Sequence, residues 1–154
     1  MQDVSAVIDG FTGHDRKVLD YSQVIARLMD EAKQPGFAQE NWAPLAALVD
    51  TARFTRVGNF KEVMNWEEYT AFLTSWAAGA EWECSFKRIT EQGNLVFLEL
   101  EERSRVGGHT SIVNSLSLYE FDHDGRIVHV DVYLQMPLLD PAMLQGYAAI
   151  EITG

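Results

Sequence analysis

The sequence holds a single cysteine, Cys84, so it can build neither an internal disulfide framework nor a multi-cysteine metal site. Basic residues are scarce: 12 Lys and Arg stand against 23 Asp and Glu, for a formal net charge of -11. That balance argues against nucleic acid as a partner, because phosphate binding is driven mainly by Lys and Arg releasing counterions. No apolar run approaches the ~20 residues that cross a bilayer. Met1-Gln2-Asp3-Val4 also shows neither the basic start nor the apolar stretch of an export signal, so the expectation is a cytoplasmic protein with no membrane partner. The four histidines, His14, His109, His123 and His129, lie singly, without the short spacing of a zinc or iron site. The glycines of Gly107-Gly108 and of Gly10 and Gly13 sit in turn contexts rather than in a phosphate cradle. Neither a metal nor another cofactor is predicted.

What is present is apolar residue in quantity, 47% of 154 residues, enough for a chain of this length to bury a core. A single domain over residues 1–154 is expected, with its core at about 12–137 and a tail or short helix at 138–154, where Asp140-Pro141 resembles a cap and first turn. Thr12 stands three residues before Asp15, a capping pattern ahead of Val18, Tyr21, Ile25, Leu28, Met29 and Ala32. Their three- and four-residue intervals predict one helix face, ended by Pro35-Gly36. A shorter helix fits 41–49, with Asn41 as its cap and Pro44 in its first turn. Residues 51–64 read as a small hairpin around Gly58-Asn59, which can supply the positive φ of a tight turn. The third helix is the best signalled: Asn65 caps, Glu68 completes a capping box, and Trp66, Tyr69, Phe72, Leu73 and Trp76 form an aromatic stripe.

Segments 81–90, 94–105, 111–122 and 126–135 read as strands joined by connections too short for parallel crossovers, so they meander antiparallel. Helix, helix, hairpin, helix and four long strands make a two-layer α+β arrangement in which a curved sheet wraps around the helices. A strongly bent sheet facing a long helix leaves a conical pocket at its open end.

Three segments carry a resemblance: Phe54-Thr55-Arg56-Val57-Gly58, Trp66-Glu67-Glu68-Tyr69, and the hairpin that runs Tyr119-Glu120-Phe121-Asp122 through Gly125-Arg126-Ile127. With them the chain, from about Trp42 to Pro137, resembles the nuclear transport factor-like superfamily in its SnoaL-like polyketide-cyclase and ketosteroid-isomerase branches. The resemblance implies a cystatin-like cone with a curved antiparallel sheet around the N-terminal helices. It does not imply one chemistry, since the superfamily holds isomerases, cyclases, epoxide hydrolases, dehydratases and non-catalytic modules.

Measured against the ketosteroid-isomerase pattern, a general-base Asp belongs near Thr55 or Arg56 and a protonated Asp near Ser117, and neither position is acidic. The SnoaL-like pattern has its acid/base Asp on the last strand, which makes Asp131 the first catalytic candidate, with His129 beside it and Gln135 beyond. Counted from Gly125, Asp131 comes one residue earlier than that pattern's Asp. Such an offset sends a side chain to the opposite face unless a bulge intervenes. Two placements stay open: Asp131 in the pocket, or Val130, Val132 and Leu134 lining it while His129, Asp131 and Tyr133 form a convex polar stripe or a dimer contact. In the limonene-epoxide-hydrolase pattern Arg103 can fill the Arg position, but its Asp partner falls on Arg105, which cannot position a water as a carboxylate does.

Strand parity gives another candidate. Val96, Leu98 and Leu100 share a face, and continuing it inward brings Glu102 to the pocket mouth, where it is suited to proton transfer. The alternative is a solvated cluster of Glu101, Glu102, Arg103 and Arg105. Trp42, Tyr69, Trp76, Asn114, Val130 and Val132 are the candidate ligand contacts, with Asp131, Glu102 and Arg103 as catalytic candidates.

The resulting expectation is a small-molecule-binding SnoaL-like protein that takes an uncharged or weakly polar, largely apolar ligand. As an enzyme it would be a cofactor-free acid/base isomerase, cyclase, dehydratase or hydrolase. The alternative is a non-catalytic ligand-binding or dimerisation module, and the direction of Asp131 discriminates the two. A homodimer is also expected, because Leu116 and Leu118 alternate with Val113, Tyr119 and Phe121, and the face not spent on the core needs a cover.

Overall fold

The computed structural model describes residues 2–137, so the tail and terminal helix expected at 138–154 lie outside the described residues. Two short 3-10 turns lead into α1 (His14–Glu31), which buries Val18, Tyr21, Leu28 and Met29 of the face read from their spacing, and Leu19 beside them. The first turn of α1 is not capped by Thr12. Gly13 holds the cap position, and the carboxylate of Glu91, far along the chain, accepts the Asp15 N–H at 3.0 Å. A methyl at Gly13 would crowd that carboxylate, so the missing side chain is what lets the acid reach the positive end of the helix.

The second helix is shorter than its pattern: a 3-10 turn at Gln39–Trp42 runs into α2 (Ala43–Ala46). Asn41 does not cap from outside but reaches back from the third position to accept the Ala38 N–H at 2.8 Å. The expected hairpin forms from β1 (Thr55–Val57) and β2 (Val63–Met64). Its left-handed residue is Lys61 and not Gly58 or Asn59. Gly58 serves another need, since a Cβ there would collide with the Glu62 carboxylate. α3 (Trp66–Ala77) starts on the full capping box, with the Asn65 side chain accepting the Glu68 N–H at 3.0 Å and Glu68 accepting the Asn65 N–H at 2.9 Å.

The long strands are β3 (Ala80–Gln92), β4 (Leu95–Val106), β5 (His109–Phe121) and β6 (Ile127–Gln135), antiparallel in sequence as expected. The hairpin extends them into one six-stranded sheet, ordered β2-β1-β6-β5-β4-β3, and here the pairing is parallel: β1 lies along β6 with Arg56 opposite Val130. The result is an α+β fold in which a curved, unclosed mixed sheet faces the helices. Among the described residues, no helix is long and apolar enough to cross a membrane.

Two irregularities set which side chains face the helices. Lys87 is an extra residue in β3. Val128 is an extra residue in β6, because His129 pairs with Glu120 while Ile127 pairs with Phe121. Ile127 is fully buried, and beyond the bulge the inward series continues with Val130 and Val132 rather than at the odd-numbered positions.

Candidate functional site

Between the concave face of the sheet and helices α1 and α3 lies a cavity of about 270 Å³. Ile25 and Met29 of α1, Leu73 and Trp76 of α3, and Val130 and Val132 of β6 supply apolar walls. Its polar groups include Tyr21, Tyr69 and Tyr119, Ser22, Ser117, Arg56 and Glu102.

The three tyrosines form one cluster. The hydroxyls of Tyr21 and Tyr69 are 3.4 Å apart, and the Tyr21 ring meets the edge of Tyr119 with centroids at 5.6 Å. Burial pushes all three phenols above their ordinary range, with a part of the Tyr69 shift offset by Arg56. They are therefore neutral at physiological pH and available as hydrogen-bond donors.

Glu102 stands on the inward face of β4, where the alternation from Val96 through Leu100 carries it. Its carboxylate accepts the indole N–H of Trp82 at 2.9 Å. It also faces Cys84 across the β3–β4 ladder, and burial followed by the nearby Glu102 charge pushes that thiol up to about 11.

Arg56 enters from β1. Its partner Val130 faces inward, so the parallel pairing turns Arg56 inward too. The guanidinium lies over the Tyr69 ring, 5.2 Å from its centroid, and Nη1 is 3.5 Å from Glu62 Oε1.

Of the residues singled out from sequence, the fold brings Glu102, Tyr69, Trp76, Val130 and Val132 together in the cavity. Asp131 is not in its lining. The bulge at Val128 leaves Asp131 on the other face, where its Oδ1 lies 3.1 Å from His129 Nε2, and His129 Nδ1 is 2.6 Å from the Thr55 hydroxyl. A bulge is thus present, and it works in the outward direction. Arg103 also lies across the sheet from the cavity, with Nη2 2.6 Å from Glu101 and Nη1 3.4 Å from Glu83. Asn114 accepts from Lys87 and donates to Gln135, and Trp42 is buried behind α3 with its indole N–H donated to Thr74 at 3.0 Å.

Arg56 and Tyr21 are cavity groups that the sequence reading did not select. Tyr21 was visible only as one member of a helix stripe. For Arg56 a signal existed: the ketosteroid-isomerase pattern points near Thr55 or Arg56 and near Ser117, and of these Arg56 and Ser117 line the cavity.

No family sequence model matches the chain, and no curated protein matches it in sequence. Solved structures do resemble it. A provisionally assigned SnoaL-like polyketide cyclase from Jannaschia sp. CCS1 is 16% identical with a TM-score of 0.55, covering 83% of this chain and 90% of that one. An LEH-like epoxide hydrolase from M. tuberculosis is 14% identical with a TM-score of 0.60, covering 81% and 83%. A provisionally assigned ketosteroid isomerase from Kribbella flavida is 14% identical with a TM-score of 0.52, covering 79% and 83%. At such identities the likeness is one of fold.

Proposed function

We propose, from the premise that this chain has the nuclear transport factor-like fold, that its hollow binds a small, mostly apolar molecule and that Glu102 moves a proton on it. The observation that carries this reading is that, among the described residues, a single carboxylate faces an apolar cavity that also holds neutral phenol donors. Such a pairing suits cofactor-free acid/base chemistry, the class to which isomerisation, cyclisation, dehydration and hydrolysis belong. Glu102 takes a proton beside a carbonyl, and a phenol hydroxyl donates to the oxygen on which negative charge develops. The indole of Trp82 holds the carboxylate in one orientation.

A second reading, binding without turnover, is favoured by Asp131, whose pairing with His129 lies away from the cavity. In that reading the hollow retains a ligand and the convex face docks a second copy. The same face supports a homodimer in either case, because Leu116 and its cross-strand partner Tyr133 are exposed side by side on it, with Ile112 on the same face of β5. A cytoplasmic location remains the expectation from sequence.

The test uses 1-tetralone, an apolar ketone with exchangeable protons beside its carbonyl. Incubated in D2O and followed by NMR, the protein is expected to accelerate exchange at that carbon. Glu102→Gln, which keeps the shape and still accepts from Trp82, should slow exchange by about 10²-fold or more. Binding of tetralone without faster exchange selects the second reading, and absence of binding overturns both.

A further inference from the structure

We infer that the ligand of the hollow carries one carboxylate, received by Arg56; this rests on the reading of the hollow as a ligand site. A guanidinium has five N–H donors in a planar fork and no acceptor, so burying it leaves donors to be matched. The Arg56 side chain is only 14% exposed, and its Nη1 is buried without a hydrogen-bond partner among the described residues. Glu62 does not fill that need. Its Oε1 is 3.5 Å from Nη1, close enough to pair charges without a hydrogen bond, while its Oε2 is engaged by the Phe60 N–H at 2.9 Å.

The groups around Arg56 point to the same chemistry. Below it lies the face of Tyr69, whose hydroxyl is within reach of Tyr21, and burial keeps both phenols protonated. This end of the hollow therefore gathers a cation and neutral phenols, and Glu62 balances the cation's charge without hydrogen-bonding its Nη1. A carboxylate supplies two oxygens with the geometry of the fork and compensates the cost of a buried, under-bonded charge.

The rest of the hollow limits what else the ligand can carry. Glu102 is on β4, three strand spacings from β1 in the sheet, about 14 Å between backbones. A second anion at that end would face a carboxylate. The ligand is then a monoanion with an apolar body, its acid at Arg56 and its reactive carbon toward Glu102. This changes the sequence expectation of an uncharged or weakly polar molecule, because Arg56 enters the cavity only through the pairing of β1 with β6.

The experiment compares 2-naphthoate with 2-naphthamide, equal in shape and different in charge, by ligand-observed NMR titration. In the wild-type protein the acid is expected to bind at least tenfold more tightly than the amide. In Arg56→Met the ratio should fall to about one. Arg56→Lys keeps the charge but loses the fork and should give an intermediate ratio, which serves as the readout where Arg56→Met fails to fold by circular dichroism. Equal affinities in the wild type, or a preference for the acid that survives loss of Arg56, overturn the carboxylate site and leave the hollow as a site for neutral ligands. Binding of neither probe overturns the ligand site as well.

Discussion

The indole N–H of Trp82 reaches diagonally across the β3–β4 ladder to the carboxylate of Glu102, 2.9 Å away. Both residues line the same cavity, so an aromatic wall and the candidate proton carrier are a single unit. Because the carboxylate has a fixed donor, its free oxygen has a defined direction.

That coupling predicts the behaviour of Trp82→Phe. The ring volume is largely kept and the hydrogen bond is lost. Hydrogen bonds to charged groups contribute about 1.5–3 kcal/mol, and partial exposure of this pair places the expected loss at the lower end in urea unfolding. Proton exchange on bound tetralone should fall by about tenfold through misalignment of Glu102. Unchanged exchange with reduced stability would assign the bond to the fold alone.

The proposed dimer makes a separate prediction. Leu116 pairs with Tyr133 on the convex face, and both are exposed. Sedimentation at micromolar concentration should report a dimer, and Leu116→Glu should yield a monomer with an unchanged circular dichroism spectrum. A monomeric wild-type protein at that concentration removes the dimer from the account.

Acid stability should depend on Asp122. The Arg126 N–H bond, with further help from the Asp124 N–H and the charges of Arg126 and Arg53, holds its carboxyl below the usual range, and its side chain is almost wholly covered. A lowered folded-state value means that the unfolded chain takes up the proton first. The stabilisation is then complete above the unfolded value of about 3.9 and is lost as pH falls toward the folded one. Asp122→Asn should lower stability at pH 7 and flatten the decline below about pH 4. Urea midpoints measured from pH 7 to pH 3 check this, and parallel curves for the two proteins would contradict it.

Cys84 should resist thiol reagents. Burial, and after it the Glu102 charge, pushes its thiol up to about 11, so little thiolate exists at pH 8. Reaction with a disulfide reagent should be slow in the native protein and fast in urea. Fast native labelling would show that the β3–β4 face opens.

Features fixed within one turn or one strand were legible without coordinates. Asn65 and Glu68 are three residues apart, and their reciprocal bonds form wherever that segment is helical. The inward series Val96, Leu98, Leu100 and Glu102 is plain alternation, uninterrupted by any bulge in β4. Asp131 was not legible in the same way. Its face depends on one unpaired residue, Val128, and no local pattern distinguishes a bulged strand from a regular one.

Arg56 and Glu91 show the same limit at longer range. Three-residue β1 has too little pattern to reveal its inward side, and only docking along β6, more than seventy residues later, turns Arg56 into the hollow. Glu91 reads as an exposed strand residue until the helix it caps is laid beside it. The chain alone therefore determined the long helices α1 and α3, the four long strands and the α+β cone, because their periods act between neighbours. Tertiary structure decided which polar side chains share the cavity, because that outcome depends on strand register and on pairing between distant segments.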